Sequence, residues 1–522
     1  MARLKRLIKL ARLFPPQSFI FLSLGVFAFL VFKDAWVSED AYITFRVMEN
    51  FMDGYGLRWN IAERVQVYTH PLWMLLHLPF FAIWDNLFHV SIFLSILCTT
   101  AALAVVLISI DKPLPIKLGL FLVPLALSKS FMDYTSSGLE TPLCYLIFAS
   151  FGFVLLKMRE HRHFWFYCSF TVALALCTRL DVVLIYIPIL CYLVLNNWKF
   201  VRWRQIFLGA TPLILWFCFA VFYYGFLFPN TKYAKLDTGL PLSLYIIQSL
   251  NYLKHLLILD TPGFIILCSS LWFVFRKNML AACIGAGVYA YTVYVIYIGG
   301  DYMAGRFWAF PIFVSVWLWY VFSPANIRLD LLFASLCILG SLHLVSPMFR
   351  DINRDCENCL NMKGKIINAT RTFHRNRLVL DLYPLKLRDH GTYPFCAAGK
   401  KLAHKKPPVE VMFFVGMHAY CAGPHLKAID MLGLGDALIA RLPAIRRKWF
   451  YIGHFKRHIP KGYKHAVDTG FTTLMDPSLA KYYEKLKIIT RGDLLDKDRL
   501  KTIVLFNLGY YDHWRQEYLN AK

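Results

Sequence analysis

Charge is scarce and lopsided in this sequence. Only 17% of its 522 residues are Asp, Glu, Lys or Arg, and 32 acids stand against 57 bases. That scarcity, with 58% hydrophobic residues and a mean hydropathy of +0.48, excludes a soluble protein and indicates an integral membrane protein. No internal repeat or low-complexity tract is present, which excludes a repeat architecture. No small-residue cleavage site follows the first apolar run, residues 19–32. That run is therefore expected to be an uncleaved anchor rather than a signal peptide.

Arg3, Lys5, Arg6, Lys9 and Arg12 precede the anchor, and by the positive-inside rule they keep the amino terminus cytoplasmic. The basic linkers 111–117, 157–163, 198–204 and 276–278, and the one around Arg328, all fall inside if the chain crosses about eleven times. The outside then receives 34–69, 133–140, 179–181, 229–260, 299–306 and everything after Met348. This scheme requires that 71–84 not cross. A span needs roughly twenty residues, so this shorter segment is expected to re-enter or to lie in the interface. The net charge of +25 sits in cytoplasmic linkers and the outer tail. The expected partners are therefore membrane lipids and phosphate-bearing lipids, with no nucleic acid.

Apolar spans end near residue 347. Residues 1–347 are expected to form a transmembrane domain, and 348–522 a soluble periplasmic α+β domain long enough to bury its own core. Strands are predicted over 409–415 and 502–506, and helices over 436–442 and 479–487. Nine of the 13 cysteines lie in apolar spans as small buried hydrophobes. Cys356, Cys359, Cys396 and Cys421 lie in the outer domain. An even number in an oxidising compartment favours disulfides, while the C-x-x-C spacing of Cys356 and Cys359 makes a zinc site the rival.

The outer loops carry the chemistry. Glu39 and Asp40 are adjacent acids just past the first span. Neighbours on a helix diverge by about 100°, so the two would do different jobs. One takes a proton from an acceptor hydroxyl, and the other orients a sugar or a cation. A lone acid near a membrane is more often simply solvated. Here, however, an amphipathic helix over 41–52, a D-G-Y-G turn and a return through Tyr68, Thr69 and His70 make more structure than a connector needs.

Four further motifs share that face. Glu140 in S-G-L-E-T opens a span, where an acid also suits the helix amino terminus. Arg179 and Asp181 in T-R-L-D separate two spans. Arg179 either pairs with Asp181 or Glu140, or meets an anion. Asn230 and Lys235 in F-P-N-T-K-Y-A-K stand at a boundary where lysines either snorkel or hold a lipid phosphate. Asp301 and Arg306 lie in G-G-D-Y-M-A-G-R-F, with Arg306 suited to a charge-assisted phosphate contact. Together the five motifs describe a cavity for an amphiphile with an anionic linkage. The expectation is a common periplasmic vestibule into which Asp40, Arg179, Lys235 and Arg306 project.

These residues resemble the GT-C class of membrane glycosyltransferases, which use polyprenyl-phosphate sugars at the outer face. More narrowly, the chain is similar to the mycobacterial terminal arabinofuranosyltransferases and the related pilin arabinosyltransferase. The matching segments are EDAYITFR with GYGL and VQVYTHPLW, then SGLET, TRLD, FPNTKYAK and GGDYMAGRF. In the tail they are AYCAGPHLKAIDMLGLGDALIARLP and IGHFKRHIPKGY. The resemblance spans nearly the whole chain and departs from the family pattern at Glu39, where a second Asp is expected beside Asp40.

The resemblance implies a GT-C bundle with a periplasmic domain, in a bacterial inner membrane. It implies transfer of an arabinofuranosyl residue from a polyprenyl-phosphate donor to an extracytoplasmic glycan or pilin hydroxyl. Asp40 would be the catalytic carboxylate, as base or as stabiliser of an oxocarbenium-like transition state, with Glu39 beside it. Arg179, Lys235 and Arg306 would meet the donor phosphate. Tyr420 and the Gly453-His454-Phe455 segment would shape the acceptor side, although a histidine such as His454 is more often structural. No metal, nucleotide or other cofactor is expected. Abundant Phe, Ile and Lys with modest Ala fit poorly with a mycobacterial origin and weaken the arabinan acceptor. The alternatives are a transferase for lipid-linked mannose, glucose or aminoarabinose, a lipid-linked sugar flippase, and a receptor or scaffold that binds protein through its tail.

Overall fold

The computed structural model describes residues 16–33, 35–110, 112, 118–323, 327–343, 394–403, 409–413, 415–446 and 452–521. The basic amino-terminal residues and Cys356 and Cys359 lie outside the described residues, as does the boundary at 347/348. Helices dominate, and the chain is a helical membrane protein. Among the described residues, four helices are long and apolar enough to cross a bilayer: Leu87–Ser109, Trp203–Tyr224, Leu242–Leu259 and Met279–Tyr297. Several shorter apolar helices accompany them.

The elements that frame the candidate sites are α1 (Ala41–Met52), α2 (Pro71–Trp84), α3 (Thr141–Lys157), α4 (Phe164–Thr178), α5 (Val183–Asn196), α6 (Met279–Tyr297), α7 (Arg306–Phe322) and α8 (Pro394–Ala403). They continue with β1 (Val409–Met412), α9 (Met417–Cys421), β2 (Lys427–Asp430), α10 (Pro477–Arg491) and α11 (Lys497–Asn507). By contacts the chain separates into two compact units. The first comprises Met1–Val37, Phe88–Ala210 and Ser249–Tyr383, and the second comprises Ser38–Leu87, Thr211–Gln248 and Pro384–Lys522.

The first unit is built around α7. Every residue from Trp308 to Tyr320 is buried, as expected of a helix that is apolar on all sides. Aromatic rings fill its surroundings, with Phe313 at 4.9 Å from Tyr145 and Trp317 at 5.4 Å from Phe148. α5 and α6 meet backbone to backbone. A Cβ added at Gly287 would lie 2.5 Å from the Ile185 carbonyl oxygen, the close approach that small residues permit between membrane helices.

The second unit begins with α1, whose buried residues 41–48 and 50 give the predicted helix its inner face. α2 packs against it: Thr44 Oγ1 and His70 Nε2 are 3.0 Å apart, and the ring of the next α1 residue, Phe45, is 6.3 Å from that of His77. β1 and β2 pair in parallel, Val409 with Lys427 through Met412 with Asp430. The short helix α9 connects them, and a disulfide joins Cys421 at its end to Cys396 of α8.

The tail differs from the sequence reading in two places. Residues 502–506 are not a strand but part of α11. Asp496 caps that helix by accepting from the backbone N–H of Asp498 and Arg499, and Arg499, Thr502, Ile503 and Phe506 form its buried face. Residues 436–442 contain only a 3-10 turn, Ile439–Arg441. The predicted strand from 409 ends at Met412, whereas the predicted 479–487 helix lies inside α10.

Candidate functional site

The sequence candidates fall into two clusters, one in each unit. In the second unit Glu39 and Asp40 form the turn that opens α1, with Asp40 at the N-cap, where the helix dipole favours an anion. Glu39 Oε1 accepts the backbone N–H of Gly416 at 2.7 Å and of Met417 at 3.2 Å. A Cβ at Gly416 would lie 2.1 Å from the Glu39 carbonyl oxygen and 2.6 Å from Oε1, so only glycine admits this approach. Burial, followed by repulsion from Asp40, pushes the Glu39 carboxyl up to about 8 against the pull of the two N–H donors. The acids are adjacent, yet their surroundings differ.

The helix that carries them is pinned from the side. Arg46 is fully buried and donates to the carbonyl oxygens of Trp59 at 2.7 Å, Leu426 at 2.9 Å and Ala419. Burial lowers its guanidinium to about 10. Beyond it, the Tyr420 hydroxyl donates to Glu49 Oε1 at 2.5 Å, and its ring sits 5.2 Å from that of Tyr42. Tyr420 therefore packs along α1.

The remaining candidates of this unit form its framework. Tyr68 is buried, with its hydroxyl 2.7 Å from that of Tyr224, while Thr69 is exposed and His70 buried against Thr44. The Asn230 amide donates to the carbonyl oxygens of Gly433, Leu434 and Asp436 at 2.7, 3.1 and 3.1 Å and so holds the 433–436 loop. Lys235 runs beside Gly453, where a Cβ would lie 3.3 Å from its Nζ. The positive φ of 84° at Gly453 suits glycine for the same turn. The His454 ring stands 5.9 Å from that of Phe413.

In the first unit three motifs converge. Arg179 donates through Nε and Nη2 to Asp181 at 3.0 and 2.5 Å, and through Nη1 to Glu140 at 3.1 Å. The Tyr291 hydroxyl donates to Asp181 Oδ2 at 3.1 Å. Phe307 lies under both guanidiniums, 5.0 Å from Arg179 and 6.0 Å from Arg306. Arg306 is 3.4 Å from Asp301. Of the two readings of Arg179 in the sequence, ion pairing is the one observed. The five charged groups, Glu140, Arg179, Asp181, Asp301 and Arg306, comprise three acids and two bases.

Sequence reasoning passed over several residues that organise these clusters. Asp260 accepts from Ser128 Oγ at 2.8 Å and from the backbone N–H of Lys129, Ser130 and Gly263 at 3.0, 2.7 and 3.0 Å. Its position before Thr-Pro is an N-cap signature. Arg46 is visible as a lone base on an amphipathic helix. Gly416 carries no signal beyond being glycine. Among the described residues, no group of three or more His, Cys, Asp or Glu could hold a metal ion.

Comparison with protein-family models, curated proteins and solved structures returns no match to this chain.

Proposed function

We propose that this membrane protein is a glycosyltransferase of GT-C type that moves an arabinofuranosyl residue from a polyprenyl-phosphate donor to an extracytoplasmic acceptor. The observation that carries the reading is the Glu39–Asp40 pair. Two adjacent acids stand in unlike surroundings, one docked on two backbone N–H groups and raised to about 8, the other at a helix amino terminus. Environments that push paired carboxyls apart are how acid–base roles are divided.

In this reading the acceptor oxygen attacks the anomeric carbon as its proton passes to Asp40. The bond from that carbon to the phosphate oxygen breaks, and polyprenyl phosphate leaves with the electron pair. Glu39 holds its proton near neutrality, so it adds no second negative charge beside Asp40 and can donate to a sugar hydroxyl. Lys235 is the preferred contact for the donor phosphate. Arg179 and Arg306 are paired with acids, and their part is to fix the loops of the first unit. In this reading the chain crosses the membrane about eleven times, with α2, only 14 residues long, lying in the interface.

A second reading, a lipid-linked sugar flippase, is favoured by one observation. The ion network of Glu140, Arg179 and Asp181 is buried among apolar helices, as in many transporters. Incubating the purified protein with polyprenyl-phosphate arabinofuranose and candidate acceptors separates the two. Transfer that Asp40→Asn abolishes supports the enzyme, and lipid movement that Asp40→Ala leaves intact supports the flippase.

A further inference from the structure

The second unit contains a cleft of about 480 Å³ whose one wall is Tyr420 and whose other residues have no part in the catalytic assignment. Its walls bring together the carboxylates of Glu49 and Asp85, the amide of Asn86, the ammonium of Lys400, and the rings of Phe81 and Tyr420. The Cys396–Cys421 disulfide closes one side and ties α8 to the end of α9. The volume falls in the range of small-molecule sites.

The placement of Asp85 is mildly unfavourable for folding. It is the C-cap of α2 and has left-handed backbone angles, φ 46° and ψ 33°, with its N–H donating to the Phe81 carbonyl at 2.8 Å. Among the described residues it is the one non-glycine with positive φ. Such positions favour glycine or asparagine. A carboxylate there also faces the negative end of the helix dipole. Two local preferences are thus violated at one residue, and its side chain lines the cleft. Strain of this kind persists where function requires the side chain.

The chemistry of the walls selects the ligand. Asp85 already balances Lys400, so no surplus positive charge attracts an anion, and the many polar groups disfavour a lipid chain. Hydrogen-bonding groups of both kinds beside the half-buried ring of Tyr420 suit the hydroxyls and C–H face of a sugar. Glu49 adds versatility. Burial pushes its carboxyl up to about 7, against the lowering effect of the Tyr420 hydroxyl, so it accepts or donates near neutral pH.

We infer that this cleft is a carbohydrate-binding subsite that holds one or two sugar units of the acceptor. Sugar binding stands on the cleft alone, and the word acceptor rests on the glycosyl-transfer reading above. The acceptor is accordingly a glycan rather than a bare protein hydroxyl.

The test uses the full-length protein in detergent and saturation-transfer NMR with methyl arabinofuranoside, methyl glucopyranoside, maltose and a serine-containing tetrapeptide. At least one sugar is expected to bind wild type and Asp40→Asn equally. Affinity is expected to fall about tenfold or more in Asp85→Gly and in Asn86→Ala, because a sugar hydroxyl loses its partner. Asp85→Gly is expected to raise the unfolding temperature at the same time, a gain that a purely structural aspartate would not give. No sugar signal, an equal signal in both variants, or binding of the peptide alone overturns the inference. Hydrolysis of polyprenyl-phosphate arabinofuranose by water, followed in parallel, needs no acceptor. Sugar binding without any hydrolysis strikes the glycosyl-transfer reading and leaves the subsite standing.

Discussion

Glu39 and Gly416 are 377 residues apart in sequence and in direct contact, the carboxylate Oε1 accepting the glycine N–H at 2.7 Å. This contact fixes the acid beside Asp40, and it tolerates no side chain at position 416. A Cβ there would meet the Glu39 backbone oxygen at 2.1 Å. Gly416→Ala is therefore expected to displace Glu39, to destabilise the protein by about 1–3 kcal/mol and to reduce transfer. Met417→Leu leaves the same N–H in place and is expected to be mild. Thermal unfolding and transfer assays on the two variants check the contrast.

The raised Glu39 carboxyl makes stability depend on pH with a definite sign. Folded, it titrates at about 8, and unfolded near its ordinary value of 4.5. Between those values the folded protein holds a proton that the unfolded chain has released. The contribution of Glu39 is thus fully present below about 4.5 and is lost as pH rises toward 8. Glu49, Asp430 and Asp436 are raised too and act in the same direction, so the informative quantity is a difference. The unfolding temperature of Glu39→Gln relative to wild type is expected to climb from pH 5 to pH 8. A constant difference contradicts the assignment.

Arg46 joins α1 to three backbone carbonyls on segments remote in sequence. Arg46→Met removes the donors and leaves those acceptors buried. The expected loss is roughly 3 kcal/mol, and Arg46→Lys recovers only part of it because an ammonium cannot span the same fork. Denaturant unfolding of both variants gives the comparison.

The Cys396–Cys421 disulfide spans 25 residues. Closing a loop of that size restricts the unfolded chain by about 3 kcal/mol in the loop-entropy account. Cys396→Ser with Cys421→Ser is expected to lower the unfolding temperature, and reductant is expected to lower it for wild type but not for the double variant.

What could be read in the sequence follows from physical scale. α1 was legible to the residue because twelve residues of amphipathic pattern fix a period, and the 14-residue length of α2 set it apart from the longer spans. The segment 502–506 misled because five residues, four of them β-branched or aromatic, are too few to define a period. The burial of Arg499, Thr502, Ile503 and Phe506 and the Asp496 cap show the helical one. β2 was invisible, since Lys427–Asp430 has no alternation and exists through its pairing with β1. At the site, the acids and bases were legible as residue types. The pairing of Arg179 with Asp181 and Glu140 was among the readings, because two of the three stand two residues apart, whereas Glu39 with Gly416 is joined by folding alone.

The central claim is that Asp40 removes the acceptor's proton during glycosyl transfer, and transfer itself is the most direct measurement. Purified wild type and Asp40→Asn, matched for unfolding temperature, are supplied with polyprenyl-phosphate arabinofuranose and a glycan acceptor. The account predicts a loss of about a hundredfold or more in the variant. Full transfer by Asp40→Asn would contradict it.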